Sequence, residues 1–198
     1  MARPAKFDRD EVVAAALDLV WRDGVERSSV KHLAEQLDMT RSSFYNAFGS
    51  REDFIGELIR EYGKHSPDRP LYEAIEGDVV PVIGRVIRQI CHDRGTDPER
   101  RGCLVVNLVC DRVPTDDPLG AEAGFRIDGS IERLVELVEM AKANGEIPAD
   151  KDSRDLALSL QTLMLGLNVL AKTGKSEAEL WHAARLTLAG LGLGRPDA

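Results

Sequence analysis

The chain has 198 residues, 43% hydrophobic and 30% charged, with a formal net charge of −8. This is an ordinary composition for a water-soluble globular protein with one large domain or two unequal ones, and no apolar run approaches the roughly 20 residues that span a bilayer. The amino-terminal M-A-R-P-A-K-F-D-R-D carries charges with no apolar stretch behind them, so it does not read as a signal peptide, and three cysteines fit a reducing cytoplasm better than a disulfide scaffold.

The negative charge is unevenly spread. Residues 1–51 hold eight basic and eight acidic side chains, so the whole −8 lies in residues 52–198. An acidic body repels phosphates and a neutral head does not, so local placement of basic residues has to carry any attraction to nucleic acid.

Strand signals are nearly absent and helical periodicity is everywhere, which predicts an all-α fold of about nine helices. Val12, Val13, Ala16, Leu17 and Val20 form one face of a first helix that Gly24 ends. Ser28 or Ser29 caps a second, with Val30, Leu33, Ala34 and Leu37 inward. Thr40 caps a third, with Phe44, Tyr45 and Phe48 on its packing side; after Gly49-Ser50 a fourth runs to about Lys64, with Phe54, Leu58 and Ile59 inward. Pro67 and Pro70 mark the end of this region. Residues 1–50 read as a helix-turn-helix domain and 51–198 as a larger helical domain, with the helix at 51–64 connecting them. Further helices are predicted at about 70–94, with a kink at Pro81, then at 98–112, 117–143, 152–173 and 176–191. V-P-T-D-D-P and N-G-E-I-P-A-D-K-D read as loops, Asp152 or Ser153 as a cap, Gly174 as a stop, and the final G-L-G-L-G-R-P-D-A as a frayed end.

The stretch S-V-K-H-L-A-E-Q-L-D-M-T-R-S-S-F-Y-N-A-F-G-S-R, residues 29–51, holds the sharpest chemistry. Two short helices joined by a tight turn, the second opening on small polar and basic residues, match a unit that inserts into the major groove of duplex DNA. Arg41, Ser42 and Ser43 occupy the first turn of the recognition helix, and Asn46 follows one turn later. Arg41 suits guanine O6/N7 or a phosphate. Ser29, Thr40 and Tyr45 offer hydroxyls to phosphate oxygens, Lys31 and Arg51 add flanking charge, and Arg3, Lys6 and Arg9 form a basic arm.

These residues, together with A-A-L-D-L-V (residues 15–20) and M-T-R-S-S-F-Y-N-A-F-G-S-R-E-D-F (residues 39–54), resemble the TetR family of bacterial transcriptional repressors. Asp38 stands where that family usually has glycine, and Asp tolerates the left-handed turn better than most residues. Ser42 and Asn46 also depart from the commonest family residues, so no operator sequence carries over. The resemblance implies a two-domain helical repressor, a homodimer formed by the last two long helices, a palindromic double-stranded DNA operator, and release by a small-molecule effector. The residues agree where they can, since one recognition helix covers too short a half-site for genomic discrimination. Leu156, Leu160, Leu163 and Leu167, with Leu180, Trp181 and Leu188, give the last two helices more apolar surface than one packing partner needs, which suggests an interface; the alternative is that both are core helices.

Candidate sensing residues lie further on. Cys103, Val106, Asn107 and Cys110 are spaced as one helical face, and so are Gln161, Met164, Leu165 and Asn168, with Phe125, Met140 and Trp181 as possible neighbours. The R-G-C-L around Cys103 resembles the segment some family members use for thiol sensing, and Arg100 and Arg101 near a helix start would favour its thiolate; the plainer reading is a packed cysteine. Cys103 and Cys110 cannot pair within one helix, because seven residues rise about 10.5 Å against a limit of roughly 7 Å. If buried, Asn107 and Asn168 need partners, a backbone carbonyl before a ligand.

Glu179 and His182 have the Glu-x-x-His spacing of di-iron bundles, but one such motif is half of what that chemistry requires. Cys91 and His92 point to different sides of a helix, His32 and His65 stand alone, and no phosphate-loop, dinucleotide or nucleophile-elbow motif is present. No metal, cofactor, membrane partner or catalytic activity is expected. The competing readings are a helix-bundle small-molecule-binding protein or enzyme with vestigial DNA binding, and a structural DNA-binding protein, which the acidic body disfavours.

Overall fold

A computed structural model describes residues 8–112 and 117–194, and in them the chain forms nine α-helices and a short 3-10 turn with no strand. Arg3 and Lys6, most of the V-P-T-D-D-P loop and the last four residues lie outside the described residues.

Short polar side chains start the head helices as their positions predict. Helix α1 (Arg9–Asp23) is capped by Asp8 and closed by Gly24 at φ 85°. Ser29 caps α2 (Val30–Gln36), Thr40 caps α3 (Arg41–Phe48), and Ser50 with Asp53 forms a reciprocal capping box on α4 (Arg51–Lys64). Ser28 is not the cap; it is buried and donates its hydroxyl to the Gly24 carbonyl at 2.8 Å. Asp38 adopts φ 50°, and the Met39 N–H reaches back to the Ala34 carbonyl at 2.9 Å, which closes α2 in a Schellman-type bond across a left-handed residue.

The body departs from prediction at two starts. The expected helix at 70–94 is a 3-10 turn (Arg69–Tyr72), then an irregular stretch, then α5 (Val80–Thr96). Pro81 lies in the first turn of α5, where its missing N–H breaks no bond, so it starts a helix and kinks none. The expected helix at 98–112 begins only at Leu104, as α6 (Leu104–Arg112), because Arg100 and Gly102 take φ 53° and 69°. The remaining helices, α7 (Pro118–Ala143), α8 (Ser153–Ala171) and α9 (Glu177–Gly190), fall where periodicity puts them, with Asp152 capping α8 and Ser176 capping α9.

Apolar burial gathers in two clusters. The first stacks Phe44, Phe48 and Phe54 under α1 and α4, and it runs on into Leu104 and Leu108 of α6 and Leu119 of α7. The second joins α5, α7, α8 and α9. Helix α4 supplies Phe54, Ile55, Leu58 and Ile59, all fully buried, to the first cluster, and so holds the head to the body.

Helix α5 meets α9 at close range through Gly95. A Cβ there would fall 2.3 Å from the Glu177 backbone nitrogen, and backbone cannot turn aside. Gly95→Ala is therefore expected to lower the urea midpoint by the equivalent of about 1–3 kcal/mol, the range for overpacking; an unchanged midpoint would show that the two helices are further apart.

Candidate nucleic-acid interface and sensing residues

Helix α3 has two unlike sides. Phe44 and Phe48 are buried against Phe54, whereas Arg41, Ser42, Tyr45 and Asn46 are exposed at positions one and four residues apart, and so share one face. Tyr45 is 54% exposed, which corrects its expected place on the packing side: the ring stands outward, edge-on to Phe44, with its hydroxyl toward solvent. Thr40 Oγ1 accepts from the Ser43 N–H at 3.1 Å and lies 2.9 Å from Ser43 Oγ, so both hydroxyls hold the helix start in shape. Ser29 is exposed at the start of α2 and accepts from the His32 N–H; Lys31 is exposed beside Glu35. Ser29, Val30, Tyr45 and Ser50 line an open cleft of about 630 Å³ beside α3.

Two expected phosphate ligands are occupied otherwise. Arg51 donates from Nε to the Ser28 carbonyl at 2.8 Å and from Nη2 to the Val25 carbonyl, so its fork clasps the turn before α2. Arg9 forms a two-point ion pair with Glu57 of α4 and lies over the Phe48 ring, which ties α1 down.

The sensing candidates do not converge on one cavity. Cys103 stands just before α6, its carbonyl accepting from the Asn107 N–H, and is half-buried, while Cys110 is exposed on that helix. Phe125 is 74% exposed on α7. Gln161 is buried and accepts from Ser130 at 2.8 Å, Met164 is buried in the second cluster, and Leu165 is half-buried. Asn107 donates to the Arg101 carbonyl at 2.9 Å and Asn168 to the Met164 carbonyl at 2.8 Å, so each takes a backbone partner. Trp181 lies under the Arg88 guanidinium, and Met140 is exposed.

The leucines read as either interface or core fall in the core. Leu156, Leu160, Leu167, Leu180 and Leu188 are all buried in the chain's own core, and Leu163 and Trp181 pack partly against it. The outward apolar residues of α8 and α9 are Leu158, Val169, Leu170 and Leu186. Glu179 accepts from Ser176 and lies near Lys175, so its spacing to His182 serves a helix start.

A set of head-to-body links had no sequence signal, because its members lie about 80 residues apart. Trp21 donates its indole N–H to the Gly102 carbonyl at 3.1 Å, and Arg101 pairs with Asp18 and Asp97 while lying 4.2 Å over the Trp21 ring. Burial would raise the Asp97 carboxyl, but hydrogen bonds from the Arg101 side chain and backbone outweigh it and hold Asp97 below the usual range. Arg112 reaches Glu26 of the head at 2.6 Å. Tyr62 of α4 is buried between Cys103 and Arg94; burial, reinforced by Cys103, pushes its hydroxyl well above the usual value.

Family models match most of this architecture. Residues 12–58 match the model for bacterial regulatory proteins of the tetR family, and residues 84–187 match the tetracyclin repressor-like C-terminal domain. The chain belongs to the TetR family.

Relatives of this TetR-family chain include the uncharacterized HTH-type transcriptional regulator YezE of Bacillus subtilis, 28% identical over 87% of this chain and 90% of that protein. The HTH-type transcriptional repressor NemR of Escherichia coli is 27% identical over 88% of this chain and 89% of its own length. Among solved structures, a cysteine mutant of the TetR family transcriptional regulator CifR, complexed with 26-base-pair double-strand operator DNA, superposes with a TM-score of 0.82 at 28% identity, covering 94% of this chain and 98% of that one. The TetR-family chain is a helix-turn-helix transcriptional regulator by this descent. Among the described residues, no helix is long and apolar enough to cross a membrane.

Its three thiols differ sharply in access. Cys91 is fully buried on α5, and burial pushes its pKa up to about 12. Brief alkylation of the native protein, read by mass spectrometry, is expected to label Cys110 first, Cys103 more slowly, and Cys91 only after unfolding. Native labelling of Cys91 as fast as Cys110 would contradict this packing.

Proposed function

We propose that this chain is a cytoplasmic, non-enzymatic repressor that binds a palindromic operator as a homodimer and leaves it when a small molecule or an electrophile acts on the body. Residues 1–50 form the DNA-binding domain and 51–198 the effector and dimerisation domain, with α4 between them. The observation that carries the reading is the outward face of α3: Arg41, Ser42, Tyr45 and Asn46 stand exposed on a base of three buried aromatic rings. That is a rigid mount for a short polar reading surface, which groove recognition requires. Ser29, Lys31, Thr40 and Ser43 sit at the adjoining helix starts, where backbone N–H groups favour phosphate. Arg3 and Lys6 complete the arm.

The relatives support the same reading, since NemR is a repressor and CifR was solved on its operator. Release follows if an effector prefers a state in which α4 has moved and the two α3 helices no longer match the operator spacing. The links Trp21–Gly102, Asp18–Arg101 and Glu26–Arg112 are the contacts through which the body would hold the head.

Selection of bound fragments from a random duplex library at moderate salt tests this reading. An enriched palindrome is expected. Absence of enrichment with a folded dimer would favour a ligand-binding protein or enzyme with vestigial DNA binding. Cys103, half-buried against Tyr62, makes the thiol route testable on the same fragment. Release by the thiol oxidant diamide is expected to weaken several-fold in Cys103→Ser; equal release in both proteins would remove that route.

A further inference from the structure

We infer that the cavity between the head and the end of α5 binds a small organic carboxylate, gripped by Arg94. This deepens the effector reading above and rests on it only for the consequence, not for the binding.

Arg94 is 5% exposed, yet it forms no ion pair with any described carboxylate. Its guanidinium gives Nε to Asn168 Oδ1 at 2.8 Å and Nη2 to the Tyr62 hydroxyl at 2.7 Å, both neutral acceptors. Nη1 makes no hydrogen bond among the described residues. The ring of Trp21 lies 5.4 Å away and adds only a weak attraction. A buried cation with no anion is a costly arrangement, and a carboxylate placed on it gains both charge and hydrogen bonds.

The space beside it suits such a ligand. Arg94 lines a cavity of about 330 Å³, at the small end of the range for ligand pockets. Leu17, Trp21, Pro67 and Pro98 give it apolar walls fit for a flat hydrocarbon body. Two acids, Asp93 and Asp97, also line it, and each accepts a hydrogen bond from another side chain. Asp97 is held by Arg101 at 3.2 Å, and Asp93 accepts from Gln89 at 2.7 Å. His65, also on the wall, lies 3.5 Å from Glu61. Arg94 is therefore the lining cation whose charge is not already met.

The cavity also sits where binding can be felt by the head. Leu17 and Trp21 belong to α1, Tyr62 to α4 and Arg94 to α5, so a ligand touches three elements whose relative placement sets the position of α3. Any difference in its affinity between the operator-bound and free arrangements must appear as an equal change in operator affinity.

Calorimetric titration of the full chain with benzoate and with benzamide, which has the same shape without the charge, tests the site. Benzoate is expected to bind saturably and benzamide at least about tenfold more weakly. Arg94→Gln should weaken benzoate about ten- to hundredfold, and Leu17→Trp, which fills the apolar end, should abolish its binding. No benzoate binding, equal binding of the two probes, or undiminished binding by Leu17→Trp overturns the site. The probe contrast on the intact chain decides the matter even if Arg94→Gln fails to fold. Benzoate bound without any change in affinity for the selected duplex overturns the effector role. A chain that selects a palindrome but ignores benzoate loses this site alone; one that binds benzoate but selects no DNA loses the repressor reading alone.

Discussion

Arg41→Ala is expected to lower affinity for the selected duplex at least about a hundredfold while the protein stays dimeric and folded. A side chain that reads a base contributes about 1–3 kcal/mol of discrimination, and a two-fold dimer loses it twice. Arg41 is exposed in the first turn of α3, and its removal disturbs no described core contact. Tyr45→Phe isolates the phenolic hydroxyl and should cost less, because a phosphate contact positions without reading sequence. The measurement is a titration of labelled duplex beside a sedimentation profile. Unchanged binding by Arg41→Ala and by Tyr45→Ala would remove α3 as the reading element.

Leu158→Glu combined with Val169→Glu is expected to turn the dimer into a monomer. The two residues lie eleven positions apart on α8, so they share one face with half-buried Leu165 between them, and both are more than two-fifths exposed. Leu186 is outward on the neighbouring α9. Among the described residues no internal partner covers this stripe, whereas the inward leucines are engaged in the core. Two buried carboxylates facing their symmetry mates cannot be tolerated in an apolar interface. Sedimentation should report the mass of one chain, with operator affinity falling to that of a single half-site. A persisting dimer would place the interface elsewhere.

The head was legible because its signals are local. A serine or threonine just before an apolar-periodic run favours a helix start by accepting from the backbone N–H three residues on, and Ser29, Thr40 and Ser50 all do so. Asp38 took the left-handed turn because a short polar side chain tolerates it. What failed was direction. Tyr45 carries two readings in the sequence, a packing ring and a hydroxyl for phosphate, and the space already filled by Phe44 and Phe48 sends it out. Leu71, Ile75 and Val79 repeat every fourth residue and imitate a helix, yet the chain there forms only a 3-10 turn and an irregular stretch before Pro81 opens α5. The leucines of α8 and α9 were apolar enough for an interface, but the chain's own α5 and α7 use the best of them. The long-range contacts of Arg51, Arg94 and Arg101 left no spacing to read, since Ser28, Asn168, Tyr62 and Asp18 lie 23 to 83 residues from them.

The central claim, that two copies of this chain read two halves of one duplex through α3, is tested most directly by titrating the selected operator against a version with one half-site scrambled, at equal length and salt. Two chains per intact operator are expected, with an affinity loss of about a hundredfold or more when one half is scrambled. Equal affinity for both duplexes, or binding that follows only length and salt, would contradict it.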